Sequence, residues 1–106
     1  MSTRKLPTQR PPTHPGEMLL EEFLKPLKLS QTEAARRLKL PLNRLNELIK
    51  GKRGMTPDTA LRLGELFRTG PDLWMDLQRD WDLWHALQRR KDRGEVGSIK
   101  PIAKAS

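Results

Sequence analysis

The chain has 106 residues, of which 35% are hydrophobic and 32% are charged, so it has room for one small domain around a single modest core. It has no cysteine, which excludes disulfides and cysteine-bound zinc, and its nine prolines and lack of tyrosine argue against a sheet. The formal net charge is +8. No apolar stretch approaches the ~20 residues of a membrane span, and the N-terminal residues lack the apolar stretch of a signal peptide, so we expect a soluble cytoplasmic protein with no membrane partner.

The N-terminal segment predicts a flexible arm followed by a first helix. Residues 1–14 carry three basic side chains, three prolines and no acid, which favours a disordered basic arm. The helix is predicted to begin near His14, because Pro15 suits an opening turn and Glu17 complements the positive end of a helix. Its buried stripe is predicted to be Leu19, Leu20, Phe23 and Leu24.

The stretch 30–54 predicts two short helices joined by a tight turn. Ser30 is a good N-cap, with Glu33 at the capping-box position. Pro41 interrupts the pattern and suits the beginning of the second helix, which Gly51 is predicted to close in a left-handed conformation. The buried positions are predicted to be Ala34, Ala35, Leu38, Leu45, Leu48 and Ile49. This spacing is typical of a helix-turn-helix unit whose second helix enters a DNA major groove.

The remaining surface of this unit is polar and cationic. Its outward positions are predicted to be Leu42, Asn43, Arg44, Asn46, Glu47 and Lys50, followed by Lys52 and Arg53. Between Arg36 and Arg53 there are seven basic residues and one acid, whereas residues 15–35 and 54–90 are slightly acidic. The alternative is an ordinary helical hairpin with a solvated basic face. One basic side on the folded middle of the chain favours nucleic-acid binding instead.

Two further helices are predicted after the helix-turn-helix. Thr56 and Pro57 form a clear start for the first of them, and Gly64 in its interior indicates close helix packing. The last helix is predicted to run from about residue 71 to residue 90 or slightly beyond, and it contains all three tryptophans. We expect Leu73, Trp74 and Leu77 in the core and Trp81, Trp84 and Leu87 against a second copy of the chain; the alternative is that all of them pack within one chain. Residues 93–106 are predicted to form a mobile tail, which leaves 15–92 as the DNA-binding and dimerisation domain.

The segment from His14 to Leu87 resembles the HigA (VapI-type) antitoxins, a branch of the Xre/Cro-like helix-turn-helix regulators. The matching motifs are HPGEMLLEEFLKPLKLSQTEAARRL, LNRLNELIKGKRGMTPDTALRLGELF and GPDLWMDLQRDWDLWHA. The resemblance implies an all-α, five-helix lambda-repressor-like domain that forms a homodimer. It also implies binding to a palindromic operator in double-stranded DNA upstream of the chain's own operon, and capture of a HigB-type ribonuclease toxin.

The resemblance also implies roles for individual residues. It places Gln31 against phosphate, Leu42, Asn43 and Glu47 against base edges, Arg44 and Asn46 beside them, and Lys50, Lys52 and Arg53 against phosphate. The chain departs from the family pattern at two positions, because Leu42 stands where relatives often have arginine and Lys39 where the turn usually has glycine. If the turn is preserved, Lys39 has a positive φ at a cost of ~1 kcal/mol or somewhat more.

The alternatives to an antitoxin are a stand-alone transcription regulator and an enzyme. A stand-alone transcription regulator would use the same DNA-binding surface, and the two are separated only by the family-like motifs at either end of the domain. An enzyme finds no support, because the chain has no glycine-rich phosphate loop and no serine in a nucleophile context. His14 and His85 are far apart in sequence, so no catalytic residue, metal site or cofactor is expected.

Overall fold

The structure is a computed structural model that describes residues 11–103, and within that range it contains five helices and no strand. The first helix, α1, begins as an α-helix over Pro15–Met18 and continues as a π-helix over Leu19–Leu24. The others are α2 (Gln31–Leu38), α3 (Leu42–Ile49), α4 (Pro57–Phe67) and α5 (Asp72–Asp92). The all-α, five-helix prediction is confirmed. Residues 1–10 of the predicted arm and 104–106 of the predicted tail lie outside the described residues.

Side-chain caps start three of the helices. Ser30 Oγ accepts from the Glu33 backbone N–H at 3.0 Å, and Thr56 Oγ1 accepts from that of Thr59 at 3.3 Å, so both predicted caps are confirmed. The third cap was not predicted: His14 Nδ1 accepts from the backbone N–H of Gly16 at 2.9 Å. His14 lies at the end of the predicted arm, yet its side chain is buried.

All five helices contribute to one apolar core. Its fully buried centre includes Leu19 of α1, Leu45 of α3, Leu63 of α4 and Trp74 of α5. The indole N–H of Trp74 donates to Thr69 Oγ1 at 2.9 Å, so the largest core residue also has its polar atom satisfied. The predicted core residues Leu73 and Leu77 are half-buried and pack against this centre.

Two glycines allow backbones to approach closely. A Cβ on Gly16 would lie 1.9 Å from the carbonyl oxygen of Leu48, so the start of α1 lies directly on the end of α3. A Cβ on Gly64 would lie 2.4 Å from the carbonyl carbon of Gly70, where the chain enters α5. The close packing predicted at Gly64 is therefore confirmed, and its partner is backbone rather than a helix face.

Candidate nucleic-acid interface

The turn between α2 and α3 has the geometry predicted for a helix-turn-helix. Lys39 has φ 57° and ψ 43°, a left-handed conformation, which confirms the prediction made for this position. The next residue, Leu40, is buried, and its N–H donates to the carbonyl of Ala35 at 3.0 Å. The turn thereby closes α2 and directs the chain into α3.

A residue of α4 braces this turn. Arg62 Nη1 donates to the carbonyl of Leu38 at 2.9 Å and to that of Lys39 at 3.3 Å, while its Nε donates to Asp58 Oδ2 at 2.9 Å. A guanidinium at the carbonyl end of α2 satisfies acceptors that have no partner within the helix and interacts favourably with the helix dipole. Sequence reasoning missed this role because the bond to Leu38 joins residues 24 positions apart.

The outward face of α3 is polar, as predicted. Leu45 and Leu48 are buried, and Ile49 packs against the core. The predicted contact residues lie on the other sides of the helix: Leu42, Asn43 and Lys50 are exposed, and Arg44, Asn46 and Glu47 are half-buried. Gln31, the first residue of α2, is also half-buried. All of these side chains therefore remain partly accessible at the helix-turn-helix.

The loop after α3 carries the remaining predicted cations. Gly51 has φ 74°, which confirms its predicted left-handed conformation, and its N–H donates to the carbonyl of Leu48 at 3.1 Å. The N–H of Lys52 donates to the carbonyl of Glu47 at 2.9 Å. The side chains of Lys52 and Arg53 are exposed.

Two predicted contact residues form an ion pair with each other. Arg53 Nη2 lies 3.1 Å from Glu47 Oε1, and the two side chains are 45% and 43% exposed. Ion pairs of this kind contribute ~0–1 kcal/mol, so either member can exchange its partner at little cost. The family resemblance implies a base contact for Glu47 and a phosphate contact for Arg53, and the structure adds that the two side chains pair with each other.

Glu33, which precedes the basic stretch 36–53, balances part of the positive charge of that stretch. Glu33 accepts from Arg36 Nε at 2.9 Å and from Arg37 Nε at 2.8 Å, and these hydrogen bonds, with Arg36 the larger cause, lower the pKa of Glu33 to about 2. Glu33 balances one of these two arginines and Glu47 pairs with Arg53, so the cationic character near α3 comes mainly from the exposed Lys39, Lys50 and Lys52, together with Arg44.

The tryptophans of α5 also contact residues of their own chain. The Trp81 ring centroid lies 5.0 Å from that of His14, edge to face, and 3.9 Å from that of His85. Trp84 lies 4.9 Å from His85, and Trp81, Trp84 and Leu87 are all half-buried. Their predicted role between two copies of the chain stays a prediction.

The same contacts bring together two histidines that are distant in sequence. His14 and His85 lie on either side of Trp81, and burial lowers the pKa of His14 against the opposing effect of the nearby Asp82 and Glu17. Within residues 11–103, no group of three or more histidines and carboxylates could hold a metal ion. No helix in that range is both long enough and apolar enough to cross a bilayer.

A family model described as helix-turn-helix matches residues 20–74, from the π-helical part of α1 to the first turn of α5. Virulence-associated protein I of Dichelobacter nodosus is 39% identical over 95 residues, which cover 90% of this chain and 85% of that protein.

Two solved structures from Pseudomonas aeruginosa are similar in both fold and sequence. PA4674, solved in complex with its 18-bp operator DNA, has a TM-score of 0.81 and 35% identity, and the match covers 92% of this chain and 100% of that one. The antitoxin HigA, solved with the higBA promoter, has a TM-score of 0.79 and 36% identity, and the match covers 87% of this chain and 99% of that one.

Proposed function

Since the chain belongs to the HigA (VapI-type) branch of the Xre-like helix-turn-helix family, we propose that it is a DNA-binding antitoxin. It binds a palindromic operator as a homodimer, represses its own operon and neutralises a HigB-type ribonuclease toxin. The observation that carries the proposal is the outward face of α3, where amide and cationic side chains stand beside the exposed Lys52 and Arg53. Relatives of similar fold solved with operator or promoter DNA support this use of the surface.

The size and chemistry of α3 suit a major groove. An α-helix with its side chains is ~10–12 Å across and a major groove is ~12 Å wide, so α3 can enter it with its eight residues, which span about 12 Å along the helix axis. Asn43 can pair bidentately with adenine and Arg44 with guanine, whereas Leu42, 41% exposed, can meet only apolar groups such as a thymine methyl. Base readout at the Leu42 position is therefore apolar.

The cations around α3 supply contacts that do not depend on sequence. Lys50 at the end of α3 and Lys52 in the following loop are exposed and reach toward the flanking backbone of a bound duplex. Arg53 exchanges Glu47 for a phosphate, which leaves the Glu47 carboxylate free to accept from a cytosine amino group. Gln31 at the start of α2 adds a neutral phosphate contact.

A homodimer presents two copies of α3 to the operator. Half-sites about 34 Å apart, one turn of duplex, match such a pair. The dimer contact uses Trp81, Trp84 and Leu87 of α5, which are half-buried. All three lie farther along the helix than Leu77, the last residue of α5 that packs against the core. Burying large aromatic side chains in a second subunit gives a substantial part of the affinity of such an interface.

The DNA-binding part is tested with two substitutions that have different expected effects. Asn43→Ala should reduce the preference for operator over random duplex by about 1–3 kcal/mol for each half-site, because one base contact is lost in each subunit. Lys52→Ala should weaken binding to both duplexes alike and flatten the dependence of log K on log salt by ~1.8 for the dimer, because one phosphate contact is lost in each subunit. Lys25→Ala, which removes an exposed lysine beyond the end of α1, is the matched control and should leave the salt slope unchanged.

Titrations of both duplexes at several salt concentrations measure these quantities. An Asn43→Ala protein that discriminates as well as the parent would contradict the placement of α3 in the groove. The toxin-binding part is tested by co-purification with the product of the adjacent gene and by inhibition of its ribonuclease activity. Binding to the operator without either result would favour a stand-alone regulator.

A further inference from the structure

We infer that Gln78 of α5 is a positioning residue for DNA binding, which holds the loop Gly51–Met55 so that Arg53 faces the phosphate backbone. The inference rests on the proposed function of that loop. Gln78 itself lies on a different helix from α3 and is half-buried, so it acts through the loop.

The side-chain amide of Gln78 is fixed at both of its ends. Its Oε1 accepts from the backbone N–H of Met55 at 2.6 Å, and its Nε2 donates to Asp82 Oδ1 at 2.9 Å, one helical turn further along α5. A backbone N–H can only donate, so the amide oxygen must face the loop and the amide nitrogen must face the carboxylate. The Asp82 carboxylate thus orients Gln78, and Gln78 orients the loop.

The loop is held at both ends. At its start, the N–H groups of Gly51 and Lys52 donate to carbonyls of the last turn of α3. At its end, Met55 is only 6% exposed and bonds to Gln78. Lys52 belongs to the first attachment through its own N–H, Arg53 lies between the two attachments, and both side chains are exposed. Release of the hydrogen bond to Gln78 leaves the end of the loop beyond Arg53 held only by the packing of Met55.

The backbone of the loop lies directly against the amide. A Cβ on Gly54 would come within 3.2 Å of the Gln78 side-chain carbon and Oε1, and within 3.3 Å of its Nε2. Residues 51–55 of the loop and Gln78 line a cavity of about 320 Å³, together with His14, Trp81 and Asp82. Without the hydrogen bond from Met55, the loop can shift into or away from this space. Such a shift starts at Gly54 and Met55 and displaces the neighbouring Arg53 from its phosphate, whereas the N–H of Lys52 stays bonded to α3.

The dependence of DNA affinity on salt reports such a displacement directly. Each phosphate that the protein neutralises contributes ~0.9 to the slope of log K against log salt, and a change in folding stability alone does not alter the slope of the folded protein. Phosphate contacts carry no base preference. The loss of an ordered loop therefore flattens the slope and leaves discrimination between sequences unchanged.

The experiment compares full-length Gln78→Met with the parent. Methionine has a similar length and cannot accept from the Met55 N–H with comparable strength. The matched control is Gln88→Met, the same substitution at a half-buried position ten residues further along α5. Each protein is titrated with operator and random duplex between 50 and 200 mM salt, below its measured melting temperature.

The expected result for Gln78→Met is a slope flatter by up to ~1.8 for the dimer, equivalent to the Arg53 phosphate contact in each of its two subunits, so that its affinity falls about tenfold less than that of the parent over this salt range. Discrimination between the two duplexes should be unchanged, and Gln88→Met should behave as the parent. Gly54→Ala places a Cβ 3.2 Å from the amide carbon and Oε1 of Gln78, so the amide and the loop must move apart by a few tenths of an ångström; this disturbs the hydrogen bond from Met55 and should flatten the slope in the same way. It decides the question if Gln78→Met does not fold.

The experiment distinguishes failure of the positioning role of Gln78 from failure of the proposed DNA-binding function. If the parent shows steep salt-dependent binding and both Gln78→Met and Gly54→Ala keep its slope, the positioning role is wrong and the proposed function stands. If the parent binds no duplex in a salt-dependent manner, the proposed function is wrong and the positioning role falls with it.

Discussion

The left-handed residue in the turn of the helix-turn-helix leads to a quantitative prediction. Lys39 has φ 57° and ψ 43°, a region that costs an L-residue with a Cβ roughly 1–2 kcal/mol. Glycine avoids this cost but loses about 0.4–1 kcal/mol through the greater freedom of the unfolded chain. Lys39→Gly should therefore stabilise the domain by about 0.5–1 kcal/mol.

The hydrogen bonds of the turn should survive this substitution. The N–H of Lys39 donates to the carbonyl of Arg36 at 3.2 Å, and its carbonyl accepts from Arg62 at 3.3 Å. Both groups belong to the backbone, so glycine retains them. In a domain of this size, 1 kcal/mol corresponds to ~4–8 °C in Tm, so the expected rise is about 2–8 °C.

Thermal and urea unfolding of three variants separate backbone strain from side-chain effects. Lys39→Ala removes the charge and keeps the Cβ, so it should show no gain. Lys28→Gly and Arg68→Gly replace residues with φ 54° and 58° and should each show a gain similar to that of Lys39→Gly. A Lys39→Gly protein no more stable than Lys39→Ala would refute the argument from backbone strain.

Two further predictions follow from buried contacts. Gly64→Ala should lower the free energy of unfolding in urea by on the order of 3 kcal/mol, because its Cβ would meet the backbone of Gly70 at 2.4 Å. Glu65→Ala, at the exposed neighbouring position, is the control and should leave that free energy nearly unchanged. An unchanged urea midpoint for Gly64→Ala would show that the contact relaxes freely. Burial lowers the pKa of His14 in the folded protein, so the unfolded chain binds a proton first as the pH falls. The contribution of neutral His14 to stability is therefore fully present above pH 6.5, and it should be lost as the pH falls from that value toward the pKa of the folded state. His14→Asn keeps an acceptor for the Gly16 N–H and should flatten the dependence of unfolding free energy between pH 7 and pH 5; an identical profile would mean that another group is responsible.

Interactions within a few residues could be predicted from the sequence. The caps at Ser30 and Thr56 each bond to an N–H three residues away, so the residue types and their spacing were sufficient. The buried side of α3 followed from helical periodicity, whereas the left-handed conformation of Lys39 was implied by the family resemblance, since the turn of that family usually has glycine at this position. The order of the five helices and the outward face of α3 were determined in this way.

The supports of the candidate interface were decided only by the tertiary structure. Arg62 reaches carbonyls 23 and 24 residues away, and Gln78 reaches an N–H 23 residues away. The contact of His14 with Trp81 likewise depends on where α1 lies against α5. Helical periodicity indicates which side of a helix is buried, but it does not indicate which residue of another helix packs against that side. Those pairings depend on how the helices cross, and the close approach at Gly16 is one of the contacts that determine that crossing.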